Sequence, residues 1–476
     1  MDRKRLKTDG ENDEMENIQI GIIGMGDMGR LYASKFAKAG WKHINVCDRP
    51  ETYAKLQEEF QGSGLTIIPD GHHVSRISDF IIYSVEAALI DAVVAQYGPS
   101  TKLGAIVSGQ TSVKAPEKLA FDKHLPKDVR IVSCHSLHGP KVDTVGQPLL
   151  LIQYRASDEE FEFVQRIFQC FGSSYVFINY EDHDIVTANT QAVTHAAFLT
   201  MGTAWRCSQA YPWESGLYPG GIETVKINIM LRIYSAKWHV YAGLALLNPA
   251  ARKQVSQYAD SATALFKLMV GEDEEALTQK VFKARREVFG WADDEEGTGG
   301  ARTRSTGEEK GKGRERKPIL MSDKMLDQFH MAARRASSGN GVDSDAVEAP
   351  PPNSHLALLA IVDCWYTLQI DPYAHLDLAA TPVFRLWIGV CEYLFRSPAR
   401  VRAAVRAAIH DHDFRSDDTE FVIAARGWAQ AVQFGDFDLY KWRFEQTREF
   451  FASRFEEANR MGAEMLKVVL SQSQSN

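Results

Sequence analysis

The sequence predicts an α/β N-terminal domain on a doubly wound parallel sheet, followed by an all-α domain. Three observations carry this expectation. From Gln19 to about Tyr180 short apolar runs alternate with stretches long enough for helices, the signature of parallel strands joined by crossovers. A glycine-rich turn, Gly24-Met25-Gly26-Asp27-Met28-Gly29, directly follows the first apolar run. From His183 onward long helical periods replace the alternation.

Taken in order, the candidate strands are Gln19 to Ile23, His43 to Cys47, Phe80 to Ser84, Ala105 to Ser108, Arg130 to Ser133, Leu149 to Gln153 and Ser174 to Ile178. The turn after the first strand is a G-x-G-x-x-G sequence leading into an amphipathic helix, Leu31 to Ala39, that ends at Gly40. In a Rossmann-type domain the first glycine permits a tight turn and the second lets backbone approach a pyrophosphate. The third allows close helix packing, and the helix N–H groups face the phosphates. Residues 24–29 therefore read as a dinucleotide cradle. The second strand ends at Asp48, where an acid that binds ribose is expected, and Arg49 follows it. Ligands of such sheets lie beyond strand C-termini. That directs attention to Glu86 and its neighbours, to Gly109–Lys114 (GQTSVK) and to Cys134–Lys141 (CHSLHGPK).

The expected organisation is a disordered tail (1–17), a Rossmann domain (18–182), a helical substrate and dimerisation domain (183–291), a disordered low-complexity insertion (292–352) and a C-terminal helical region (353–476). The helical domain is interrupted by the loop Tyr211 to Gly221. The insertion is rich in Gly, Ser and charge, with room for one short helix near Lys324 to Arg334. Its Arg334-Arg335-Ala336-Ser337 reads either as solvated linker or as a basophilic phosphorylation site. The tail carries Arg3, Lys4, Arg5 and Lys7, a solvated cluster or a nuclear signal, and no apolar stretch of the kind a secretory leader needs. The apolar run Ile185 to Trp205 contains Asn189, Thr190, Gln191, Thr194 and His195, too polar for lipid, so it reads as a helix buried in protein. A hydrophobic content of 45% with 24% charged residues is ordinary for a soluble globular protein, and a net charge of −8 argues against nucleic acid as a partner. The six cysteines lack C-x-x-C spacing, which indicates free thiols in a reducing, cytoplasmic setting and no metal site.

Several residues could carry chemistry. Histidine titrates near neutrality, so His135, just past a candidate strand, is the candidate base for a hydroxyl proton. His138 reads as structural. Thr111 and Ser112 offer hydroxyls that could orient a base, or simply cap a helix. Thr187, Gln191 and His195 are spaced to share a helix face, which if buried requires a substrate or another helix as partner. On the predicted helix Ile222 to Leu247, Asn228, Arg232, Ser235 and His239 share another face, with Lys226 and Lys237 nearby. Arg232 is suited to clamp a carboxylate in bidentate fashion, and the competing reading is a solvated polar face.

Taken together, GIIGMGDMG, GQTSVK, HSLHGPK, EDHDIVTANTQAVTHAAF and NIMLRIYSAKWHVYAGLALLNP resemble the prephenate dehydrogenase family, in particular its monofunctional NADP-dependent branch. The likeness covers Ile18 to Phe289 and resumes from Asn353. It implies oxidative decarboxylation of prephenate to 4-hydroxyphenylpyruvate, on the route to tyrosine, in a homodimer. It also implies His135 as the catalytic hydrogen-bond acceptor, Ser112 holding that histidine or the substrate hydroxyl, His195 near substrate and Arg232 on a carboxylate, the last two supplied to an interdomain cleft. The chain departs from many relatives at HSLHGP, where they carry H-P-[IL]-x-G. Asp48 favours an unphosphorylated ribose and Arg49 a 2′-phosphate; the resemblance tips the choice from NAD to NADP. Rival readings are an arogenate dehydrogenase and a non-catalytic NADPH-binding sensor. A β-hydroxyacid dehydrogenase is disfavoured by the HSLHGPK segment.

Overall fold

The computed structural model describes residues 14–140, 142–209, 211, 213–214, 221–297, 320–321, 326, 353–378 and 381–462. The basic cluster of the tail, Lys141, residues 215–220 of the loop before Gly221, and most of the 292–352 insertion lie outside the described residues, including the short helix expected there and Arg334–Ser337. The chain divides into two compact units, Met1–Thr187 and Ala188–Asn476.

The first unit is an eight-stranded sheet in the order β3-β2-β1-β4-β5-β6-β7-β8. Its strands are β1 (Gln19–Ile23), β2 (His43–Cys47), β3 (Leu65–Ile67), β4 (Phe80–Tyr83), β5 (Ile106–Gly109), β6 (Arg130–Ser136), β7 (Pro148–Arg155) and β8 (Ser174–Phe177). Its helices are α1 (Asp27–Ala39), α2 (Tyr53–Glu59), α3 (Gly71–Ile77), α4 (Ile90–Tyr97), α5 (Lys114–His124), α6 (Asp158–Phe168) and α7 (Tyr180–Thr187). Strand order reverses beside β1, with β2 on one side and β4 on the other, both parallel to it. The central strands are buried on both faces, with Ile20, Ile22, Ile44, Val46, Phe80 and Ile82 on one side and Ile23, Ile81, Tyr83 and Val107 on the other.

Two features depart from the expected all-parallel sheet. Strand β7 runs antiparallel to β6, because the segment that joins them, 137–147, contains no helix to carry a crossover. Strand β3 was not foreseen: three half-buried or exposed residues beside β2 present no apolar run to read.

The second unit contains α8 (Val193–Cys207), α9 (Gly221–Ser235), α10 (Trp238–Leu247), α11 (Pro249–Val270), α12 (Glu274–Phe289), α13 (Leu356–Leu368), α14 (Pro372–Leu378), α15 (Pro382–Arg396), α16 (Pro398–His410), α17 (Arg415–Phe434) and α18 (Phe437–Phe451). The single helix expected from Ile222 to Leu247 is two, broken after Ser235. A π-helical turn, Ala188–Ala192, precedes α8 and breaks the spacing by which Thr187, Gln191 and His195 were to share a face.

One apolar core spans this unit from Val193 to Ala458, so helices on both sides of the 292–352 tract close around common residues. Helix α8 is buried from Val193 to Trp205 apart from His195. At Gly202 a Cβ would overlap the Tyr234 ring of α9, and that residue's hydroxyl donates to Leu199 O (2.7 Å). From α17, Trp428 Nε1 donates to Thr203 Oγ1 (2.9 Å). The apolar run expected to be buried in protein is thus covered by the chain's own helices. Among the described residues no helix is long and apolar enough to cross a membrane.

Candidate active site

The glycine-rich turn has the shape its spacing implies. Gly24 adopts φ +104°, where a Cβ would overlap the Ser84 carbonyl, and a Cβ on Gly29 would overlap the Gly24 carbonyl. Around Gly26, by contrast, a Cβ would meet nothing within 4 Å, so open space lies where backbone must approach a pyrophosphate. The turn and the start of α1, with Asp27 and Met28, therefore fit a dinucleotide. Asp48 is committed to the turn: its carboxylate accepts from Met25 N–H (2.7 Å) and Arg49 N–H (2.6 Å). The Arg49 side chain is 80% exposed, with Nε 3.8 Å from Asp48.

His135 lies in β6, opposite Leu150 of β7, and is 6% exposed. The strand runs to Ser136, three residues further than expected. His135 Nδ1 is 2.8 Å from Nε2 of His183, whose Nδ1 is 2.9 Å from Asp184 Oδ1. Asp184 also accepts from the first two backbone N–H groups of α5, Lys114 and Ala115, each at 2.8 Å. Burial, then the neighbouring His183 and Lys114, hold the His135 imidazole well below the ordinary histidine range. His183 is depressed by burial and Lys114 in the same way. Both rings are therefore neutral at physiological pH.

Beneath His135 sits a fully buried ion pair. Lys114 Nζ bonds both Glu117 oxygens (3.0 and 2.8 Å) and the carbonyls of Gly109 (3.0 Å) and Cys134 (2.9 Å). Lys114 so ties the C-terminal end of β5 to the residue preceding His135. Glu117 further accepts from Thr111 N–H (3.2 Å), Thr111 Oγ1 (2.5 Å) and Ser133 Oγ. Ser133 Oγ is 2.8 Å from the Tyr180 hydroxyl. Gly109 is required here because a Cβ would overlap the Glu117 carboxylate.

The structure sorts the remaining candidates. Thr111 is a turn residue, bonded to Val113 O and Glu117, and so is not free to orient a base. Ser112 is half-buried, and among the described residues no hydrogen bond joins it to His135, whose ring partner is His183. His138 bonds the carbonyl of its neighbour Gly139, a local structural contact. In the second unit, His195 packs edge-on to Tyr241 (4.7 Å); its Nδ1 has no hydrogen-bond partner among the described residues, and burial pushes the imidazole pKa down to about 3. Arg232 is largely desolvated and makes no ion pair among the described residues. Of the face on which Arg232 was expected, Asn228 is buried, while Arg232, Ser235 and His239 are half-buried. Lys226 is spent on Glu223 (2.8 Å). Sequence reasoning missed His183, Asp184, Lys114, Glu117 and Tyr241 as site residues. The adjacent His-Asp pair and the i, i+3 Lys/Glu spacing were readable, but nothing local shows that either meets the strand carrying His135.

Comparisons with known proteins identify the family. Residues 19–108 match a coenzyme F420-dependent NADP oxidoreductase model, and residues 192–298 and 301–471 match a 6-phosphogluconate dehydrogenase C-terminal domain model. A Schizosaccharomyces pombe protein named a probable prephenate dehydrogenase (NADP+) is 50% identical over 455 residues, 96% of this chain and 98% of its own. The Saccharomyces cerevisiae prephenate dehydrogenase (NADP+) is 50% identical over 457 residues, 95% of this chain and 94% of its own. A Methanocaldococcus jannaschii protein named a probable arogenate/prephenate dehydrogenase is 20% identical over 278 residues, 58% of this chain and 61% of its own. With half its residues shared along almost the full length of two such proteins, the chain belongs to the NADP-dependent prephenate dehydrogenases.

Proposed function

We propose that the chain catalyses the NADP-dependent oxidative decarboxylation of prephenate to 4-hydroxyphenylpyruvate, with His135 as the group that accepts the hydroxyl proton. The observation that supports this role is a neutral, desolvated imidazole at the end of a strand of a dinucleotide-binding sheet. NADP supplies the hydride acceptor. As the ring carbinol carbon gives up hydride, its O–H proton passes to His135. Carbon dioxide then leaves, the C–C electron pair makes the ring aromatic, and His135 returns the proton to the phenolic oxygen. The neutral ring has a lone pair free to take the proton and later return it. Ser112 stands two residues before Lys114, whose ammonium bonds the carbonyl that precedes His135, and we keep it as a candidate for the substrate hydroxyl rather than for His135.

Arg232 and His195 are assigned to prephenate. A desolvated guanidinium with no ion pair among the described residues is suited to a substrate carboxylate. Arg232→Ala should raise KM for prephenate about tenfold or more while kcat changes less; an unchanged KM would give the carboxylate to another cation. The 2′-phosphate of NADP is assigned to Arg49, because Asp48 already serves two backbone N–H groups and Arg49 is exposed. Arg49→Ala should raise KM for NADP about tenfold and leave KM for NAD nearly unchanged; equal effects on both would remove this assignment.

The reaction is tested by following NADPH absorbance with prephenate and with arogenate, each with NADP and NAD. Rapid reduction of NADP with prephenate is expected. Turnover with arogenate alone would transfer the enzyme to that substrate, and NADPH binding without turnover would favour a sensor. Homodimer assembly rests on the family resemblance. Light scattering should then give about twice the 53.3 kDa chain mass. Free cysteines, four of them buried, support a reducing, cytoplasmic location.

A further inference from the structure

We propose that Asp184 and His183 are positioning residues that hold His135 in a single tautomer, with Nδ1 protonated and Nε2 carrying the open lone pair. This rests on His135 being the base and specifies which of its nitrogens accepts the proton. The argument runs from the far end of the chain of contacts. Each Asp184 oxygen accepts a backbone N–H of α5, at 2.8 Å, and these bonds with the Lys114 ammonium favour the carboxylate against the upward push of burial. Asp184 can therefore only accept, so His183 Nδ1, 2.9 Å from Oδ1, must carry the hydrogen. A neutral imidazole has one N–H, so His183 Nε2 is a lone pair. His135 Nδ1, 2.8 Å from it, must then be the donor. His135 is neutral as well, which leaves its Nε2 unprotonated, as a base requires.

The facing groups support the same state. The ammonium of Lys114 is among the causes that lower both imidazoles, and its Nζ bond to Cys134 O fixes the backbone next to His135. His183, Lys114 and His138 each disfavour the His135 cation. Asp184 is bonded to His183, which in turn is bonded to His135. Tying the carboxylate to the start of α5 also sets ring orientation, since β6 and α5 then hold the two ends of the Asp184–His183–His135 line.

The direct test is nitrogen NMR of the histidine-labelled wild-type enzyme at neutral pH. His135, assigned by difference from His135→Asn, should show a protonated Nδ1 and a pyridine-type Nε2. A protonated Nε2 would overturn the proposal, whatever the activity of any variant. In kinetics, Asp184→Asn should release the tautomer and lower kcat about 10²-fold or more, with KM for prephenate and Kd for NADPH within about threefold; the same exchange in a serine-protease triad costs about 10⁴. His183→Phe, which removes the acceptor, should fall further than His183→Gln, whose amide oxygen can still accept from His135 Nδ1. Equal kcat for His183→Phe and the wild type would also overturn it. If His135→Asn retained full turnover, the base assignment would fail while the NMR result stood by itself.

Discussion

His135→Asn is expected to lower kcat about 10³-fold while prephenate and NADPH still bind within a few-fold of wild type. Asparagine is close to imidazole in size and can keep a hydrogen bond to His183, so β6 and its pairing with β7 should persist. It has no lone pair that can accept a proton near neutral pH. A positioned base contributes about 10²–10⁴ in rate. The pH dependence carries a matching sign. His135 acts as the neutral ring and its folded pKa is lowered, so kcat/KM of the wild type should stay level as pH falls through 6.5 and decline only well below it. An inflection at the ordinary histidine value would separate the activity from this residue.

Lys114→Met should cost about 3–5 kcal/mol of stability, because it leaves the Glu117 carboxylate fully buried with no cation. Urea unfolding of the first unit reads this loss. Exchanging both partners, Lys114→Met with Glu117→Leu, should recover much of it, since the pair's worth lies largely in mutual compensation. A single variant as stable as wild type would show that water reaches Glu117. Enough folded Lys114→Met for kinetics should also show the acid limb of kcat/KM moved to higher pH, because a positive neighbour that disfavours protonated His135 is gone.

Much of this was legible in the sequence. Strand β1 with the Gly24–Gly29 turn was readable because the steric demands of a phosphate cradle fall on glycines at fixed spacing, and Gly24 and Gly29 show the tight turn and close packing that their positions implied. His135 was readable because a histidine after a strand is conspicuous. The reversal of β7 was not, since an apolar run looks the same in either direction and only the absence of a crossover helix decides it. The break between α9 and α10 was not, because Ala236 and Lys237 are ordinary helix formers. The partnership of His183 and Asp184 with His135 was hidden for another reason: His135 and His183 lie 48 apart in sequence, and only the packing of α7 against α5 and β6 brings them to one place.

The shared core of the second unit has a genetic consequence. Helices α8 and α11 bury their apolar faces against α13 and α17, so neither the part before the 292–352 tract nor the part after it has a complete interior alone. Buried surface, more than the peptide link, joins them. A gene split within that tract should therefore yield two polypeptides that are insoluble when made singly and that reconstitute tyrosine prototrophy when made together.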